Sequence, residues 1–163
     1  MFYLDLFAAL DKHRVAYVLI GGLAVSLHGV ERATMDIDIS VVMSRENLAA
    51  LIAASRELGL TPALPVAIES LGDPELLAQW HEQRNMEVFA LRAPGLAGVT
   101  VDVLLHPPLG ASALIERAIA FDVGGVSVRV AAIDDLITLK AAVGRPIDLA
   151  DIEHLRRVKE RQA

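Results

Sequence analysis

Tyr17-Val18-Leu19-Ile20-Gly21-Gly22, with Met35-Asp36-Ile37-Asp38-Ile39 close behind it, is the stretch that decides the fold. Its apolar run predicts a buried strand from Val15 to Ile20. The glycine pair then predicts a turn into a helix, Gly22 to His28, stopped at a left-handed Gly29. Alternation follows, so Asp36, Asp38 and Ser40 share one face of a second strand while Ile37, Ile39 and Val41 take the other. Glycines at a helix start let backbone N–H groups approach a phosphate with no Cβ in the way. Two carboxylates aimed at one spot repel unless a cation lies between them, and the cation that suits all-oxygen ligands beside phosphates is Mg²⁺. The expectation is metal-assisted chemistry on a nucleoside triphosphate (NTP).

A third acid joins this pair. Val99 to Leu105 reads V-T-V-D-V-L-L, with Thr100, Asp102 and Leu104 on one face and only apolar residues on the other. Burying an unpaired carboxylate is expensive, so Asp102 calls for a strand end, a cation or a metal. Should this strand lie beside the Asp36 strand, the three carboxylates form a divalent-metal site, and Asp102 is placed to act as general base on an attacking hydroxyl.

G-G, then D-x-D, then a later single Asp in an apolar strand resembles the active-site signature of the polymerase-beta-type nucleotidyltransferases. Within that superfamily, G-G-L-A-V-S-L-H-G-V-E-R-A-T-M-D-I-D-I is similar to the minimal nucleotidyltransferases and the AbiEii-type toxins. Residues 135 to 152, D-L-I-T-L-K-A-A-V-G-R-P-I-D-L-A-D-I, resemble the segment those proteins carry after the catalytic sheet. The resemblance implies an α/β (α+β) fold: a mixed, mainly antiparallel sheet with the acids on one face, helices against the other, and C-terminal helices closing the cleft. It also implies transfer of a nucleoside monophosphate from an NTP to an acceptor hydroxyl, with Asp36, Asp38 and Asp102 holding Mg²⁺ or Mn²⁺. The acceptor is expected to be an RNA end or a protein, with a cognate antitoxin or a second copy of the chain as partner. A small-molecule acceptor of the antibiotic kind, or an idle nucleotide-binding module, are the alternatives. Many relatives carry Gly-Ser where this chain has Gly21-Gly22, so no serine hydroxyl is available there for phosphate.

The composition agrees with an enzyme domain more than with a coat for nucleic acid. The chain has 163 residues, 54% of them hydrophobic, and a formal charge of -6. That is enough for one domain with a substantial core, residues 1–130 forming the catalytic part and 131–163 a helical segment. A broad basic surface for phosphates is absent from such a charge balance. Zero cysteines exclude disulfides and thiolate metal sites and fit the cytoplasm. No run approaches a membrane span, and no association with a membrane is expected. Mean hydropathy is +0.46, high enough that an apolar surface covered by a partner is expected.

Elsewhere, patterns predict helices over Leu4–Leu10, Ser44–Leu58 with Ser44 as N-cap, Glu75–Gln83 after Asp73-Pro74, Ala111–Phe121, Asp134–Val143 and Ile147–Arg161. Residues 61 to 73 predict a loop with a short strand at Val66–Ile68. Met86–Leu91 and Val99–Leu105 predict an antiparallel hairpin, and Val126–Val130 another strand. Among further candidates, Gly21 and Gly22 are expected to seat the β and γ phosphates. Arg32 reads equally as a surface ion pair or as a contact to the triphosphate or the acids. Lys140, in an apolar helix just before G-R-P-I-D, is expected to meet a phosphate or an acid in the cleft rather than snorkel, as a catalytic and nucleotide-binding residue. Of Asp148 and Asp151, three apart on the last helix, Asp148 is the one expected to pair with Lys140 or Arg145 at the nucleotide site. His28 reads as a helix-end residue and not a ligand, and Arg156, Arg157, Lys159 and Arg161 as a solvated basic helix end.

Overall fold

The computed structural model describes residues 2–95 and 98–163. A seven-stranded sheet in the order β3-β4-β5-β2-β1-β7-β6 forms its centre. The strands are β1 (Tyr17–Ile20), β2 (Asp36–Val41), β3 (Thr61–Pro62), β4 (Val88–Arg92), β5 (Thr100–Leu104), β6 (Ile119–Val123) and β7 (Val126–Val130). The sheet is mixed and mainly antiparallel: β2 runs antiparallel to β1 and parallel to β5, while β4 pairs antiparallel with β5. Seven helices accompany it among the described residues: α1 (Phe2–Lys12), α2 (Gly21–Leu27), α3 (Arg45–Glu57), α4 (Pro74–Arg84), α5 (Ala111–Arg117), α6 (Ile133–Val143) and α7 (Pro146–Gln162).

Strand alternation places the core. Ile37, Ile39, Val41, Val101 and Val103 are buried on one side of β2 and β5, each contributing about 1.5–3 kcal/mol relative to exposure. The opposite, even-numbered side carries Asp36, Asp38, Thr100 and Asp102. Ser44 caps α3 by accepting from the Asn47 N–H, and the Asn47 side chain in turn binds the backbone of Ala16 and Val42, locking α3 to the ends of β1 and β2. Asp73 caps α4 through the N–H groups of Glu75 and Leu76, with Pro74 in its first turn.

Two expectations need correction. Ala111–Phe121 is not one helix: α5 ends at Arg117, and Ile119–Phe121 begin β6. Gly124 (φ +59°) and Gly125 (φ +84°) form a tight turn whose positive φ values match strand twist, so the hairpin with β7 captures the alternating Ile119, Phe121 and Val123. Val66–Ile68 is not a strand either. Thr61-Pro62 instead pairs with β4, and Ile68–Gly72 forms a 3₁₀ turn whose Leu71 is buried. The turn between β4 and β5 includes Leu96 and Ala97, outside the described residues; the hairpin itself is present.

Candidate active site

Register brings the acids together. In β1–β2 pairing Ile20 lies opposite Asp38, so Asp38 sits against Gly21 at the start of α2. In the parallel β2–β5 pairing Asp38 lies beside Asp102, and Asp36 beside Thr100. The Thr100 hydroxyl spans 2.9 Å to Asp36 Oδ1 and 3.0 Å to Asp102 Oδ1. The acids therefore form a strip on one sheet face, with a threonine between two of them. Among the described residues, no three carboxylate or imidazole groups are already gathered around one point.

Asp38 bears the electrostatic load. Burial, then the charges of Asp102 and Asp36, push its carboxyl up to about 6, against a smaller opposing pull from Lys140 and Arg145. Asp102 is also raised, chiefly by burial, while its hydrogen bond with Thr100 acts the other way. An all-oxygen set of crowded carboxylates in which one is disfavoured as an anion is the chemistry a hard divalent cation relieves, so these donors fit Mg²⁺ or Mn²⁺.

Gly21 is required by contact as well as by conformation, and Gly22 stands in a close-packed spot. Gly21 has φ +75°, and a Cβ there would overlap the Asp38 carboxylate. At Gly22 a Cβ would lie 3.3 Å from Thr34 Oγ1 and 3.4 Å from Arg32 Cζ. A hydroxyl from the strand's entry loop thus occupies the neighbourhood where a side chain on residue 22 would stand. Sequence reading passed over Thr34, which carries no pattern of its own.

A cleft of about 190 Å³ opens beside the acids, between Gly21, Asp38, Val88 and Leu104 on one side and Leu139, Lys140, Val143 and Arg145 on the other. Lys140 does not snorkel. Its Nζ lies 3.3 Å from Asp148 Oδ1 and 3.0 Å from Asp151 Oδ2, and all three residues are buried. Arg32 is tied to the same network, its Nε donating to Asp151 at 3.0 and 3.3 Å, and its Nη1 to the Ala33 carbonyl. Its acid partner is therefore Asp151, and neither a surface Glu nor Asp36 or Asp38. Arg145 completes the set, its Nε and backbone N–H both donating to Asp148 Oδ2, at 2.8 and 3.1 Å. The arginine and lysine charges hold Asp148 below the usual carboxylate range, the Arg145 hydrogen bond first among them.

Asp148 lines the cleft, and Asp151 holds Lys140 from the other side. Arg145 is the cleft residue the sequence reading underrated, the signal being Arg145 and Asp148 placed as N-cap and third residue of α7. His28 is structural: its Nε2 is 2.8 Å from the Ala131 carbonyl, and Phe121 packs edge-on against it. Arg157 and Lys159 are exposed and paired with Glu153 and Asp134.

No protein-family model matches the sequence, and comparison with curated proteins gives no match. Solved structures do. The antibiotic-resistance factor ANT(2'')-Ia superposes with a TM-score of 0.59 at 17% identity, covering 99% of this chain and 83% of that one. The lincosamide antibiotic adenylyltransferase LnuA, lincomycin-bound, gives 0.57 at 14% identity, with 91% and 90% covered. A candidate nucleotidyltransferase from Thermotoga maritima gives 0.56 at 15% identity, with 96% and 89% covered. These likenesses span nearly the whole chain, but at such identities they speak for architecture alone. The chain has the nucleotidyltransferase fold.

Proposed function

We propose that this protein transfers a nucleoside monophosphate from an NTP to an acceptor hydroxyl, releasing pyrophosphate. The single observation that carries the reading is the register that sets Asp38 beside both Asp102 and Gly21. Asp36, Asp38 and Asp102 are the residues to hold Mg²⁺ or Mn²⁺, which when bound supplies charge neutralisation at the phosphates. Gly21 and Gly22 are the residues whose backbone N–H groups would seat the β and γ phosphates. Asp102 takes the proton of the acceptor hydroxyl, whose oxygen then bonds to the α-phosphorus as the bond to the bridging oxygen breaks. Fixed positioning and electrostatics, not covalent chemistry by the protein, supply the acceleration.

The AbiEii-like sequence pattern supports an RNA end or a protein as acceptor, within a toxin whose apolar surface meets an antitoxin or a second copy. A second reading has its own support. Structures of an antibiotic-resistance factor and a lincosamide adenylyltransferase are similar to this chain, and ANT(2'')-Ia is also known in complex with adenylyl-2''-tobramycin, which favours a small hydroxylated acceptor. Among the described residues, no helix is long and apolar enough to cross a membrane. The cysteine-free sequence supports a reaction in the cytoplasm.

Incubating the protein and Mg²⁺ with each of the four α-labelled NTPs and cell extract, then separating RNA, protein and small molecules, tests both readings. Label in a macromolecular fraction supports the first, and label in a small molecule the second. An absence of transfer and of pyrophosphate release with every NTP would leave an idle module.

A further inference from the structure

The charged network beneath the cleft is not neutral. Arg32, Lys140 and Arg145 bring three positive charges to the two carboxylates of Asp148 and Asp151, which leaves one in excess. Where that excess is presented follows from exposure. The Lys140 side chain is 9% exposed and the Arg32 side chain 19%, whereas that of Arg145 is 64% exposed. Lys140 also borders the cleft, but its Nζ is buried between two acids that take two of its three donors, which leaves it far less to offer a ligand than Arg145. Arg145 is held from behind: Nε and Nη2 donate to Asp148, at 2.8 and 3.3 Å, and Nη1 has no protein partner among the described residues. Its guanidinium thus stands preorganised, at the same cleft as Gly21 and Asp38.

From this geometry we propose that Arg145, and not Lys140, is the residue that grips the polyphosphate of the NTP and the pyrophosphate as it departs. This rests on the nucleotidyl-transfer reading. In the transfer step the acceptor oxygen bonds to the α-phosphorus and its proton passes to Asp102. The bond from the α-phosphorus to the bridging oxygen breaks, and the electron pair leaves with pyrophosphate. Negative charge therefore grows on the leaving group, where a fixed guanidinium stabilises it most. Lys140 is a positioning residue: it holds Asp148 so that Asp148 can hold Arg145.

The test is calorimetric binding of ATP, AMP and inorganic tripolyphosphate with Mg²⁺ to the full chain, as wild type, Arg145→Ala, Arg145→Lys and Lys140→Met. Arg145→Ala should weaken ATP and tripolyphosphate by at least about tenfold, the worth of one charge-assisted contact, and AMP by less than about twofold. Arg145→Lys should fall between, because an ammonium cannot keep the fork to Asp148 and also reach the ligand. Lys140→Met should lower thermal stability, yet the protein that stays folded should keep a preference for ATP over AMP. Equal losses of ATP and AMP in Arg145→Ala, or ATP binding within about twofold of wild type, would overturn the assignment and leave nucleotidyl transfer standing. Arg145-dependent binding of tripolyphosphate without binding of ATP or AMP would keep the clamp and sink the nucleotide reading. Binding of none of the three ligands by wild type would sink both.

Discussion

Burial and two neighbouring carboxylates push Asp38 up to about 6, and this has a measurable consequence for stability. The unfolded carboxyl titrates near 3.8, so between that value and about 6 the folded chain holds a proton the unfolded chain has lost. Stability from this group is full below the lower value and is lost as pH rises through the upper one. At pH 7.5 the ionised side chain costs on the order of 2 kcal/mol. Asp38→Asn should therefore melt about 5 °C higher than wild type at pH 7.5 without divalent metal, and the gap should close toward pH 4. Addition of Mg²⁺ with NTP should reverse the order, since only the wild type can use the ion. A variant less stable than wild type at pH 7.5 without metal would contradict this. Parity alone made the pairing of Asp36 with Asp38 legible, because side chains two apart on a strand must share a face. Thr34 and Thr100 were not legible as site residues, because their importance lies in what stands opposite them.

Helix α7 is joined to the loop before β2 by the Arg32–Asp151 ion pair, which spans 119 residues of sequence, and to α6 by Lys140, which pairs with Asp148 and Asp151. Such links set the angle at which the helices close the cleft. Lys140→Met leaves two buried carboxylates short of a cation, so it should destabilise by about 3 kcal/mol, the low end for a broken buried pair because Arg32 and Arg145 remain. Urea unfolding measures it, and a change below about 0.5 kcal/mol would return Lys140 to the surface. Element boundaries set by local chemistry were readable from sequence: Ser44, Asp73-Pro74 and Gly144-Arg145-Pro146 mark helix ends that the structure shares. Where a partner strand decides, sequence misled. Ile119 to Phe121 satisfy a helix locally, yet β7 and a two-glycine turn pull them into a hairpin. The adjacency of β2 and β5, on which the acidic strip depends, was likewise beyond reach, because a parallel pair leaves no local turn signal.

At the scale of the whole molecule, a mixed sheet gathers three acids and two glycines from three separated segments, while the C-terminal helices face them across a cleft that has cations at its rear. Every part of the proposed function requires those acids to act through a divalent ion on a triphosphate. Calorimetric titration of the four NTPs into wild type, Asp36→Asn and Asp38→Asn, each with Mg²⁺ and with EDTA, tests that claim most directly. At least one NTP is expected to bind wild type only with Mg²⁺, and to lose about a hundredfold or more in affinity in each variant while both remain folded. Equal binding with EDTA, or undiminished Mg²⁺-dependent binding in both variants, would contradict it.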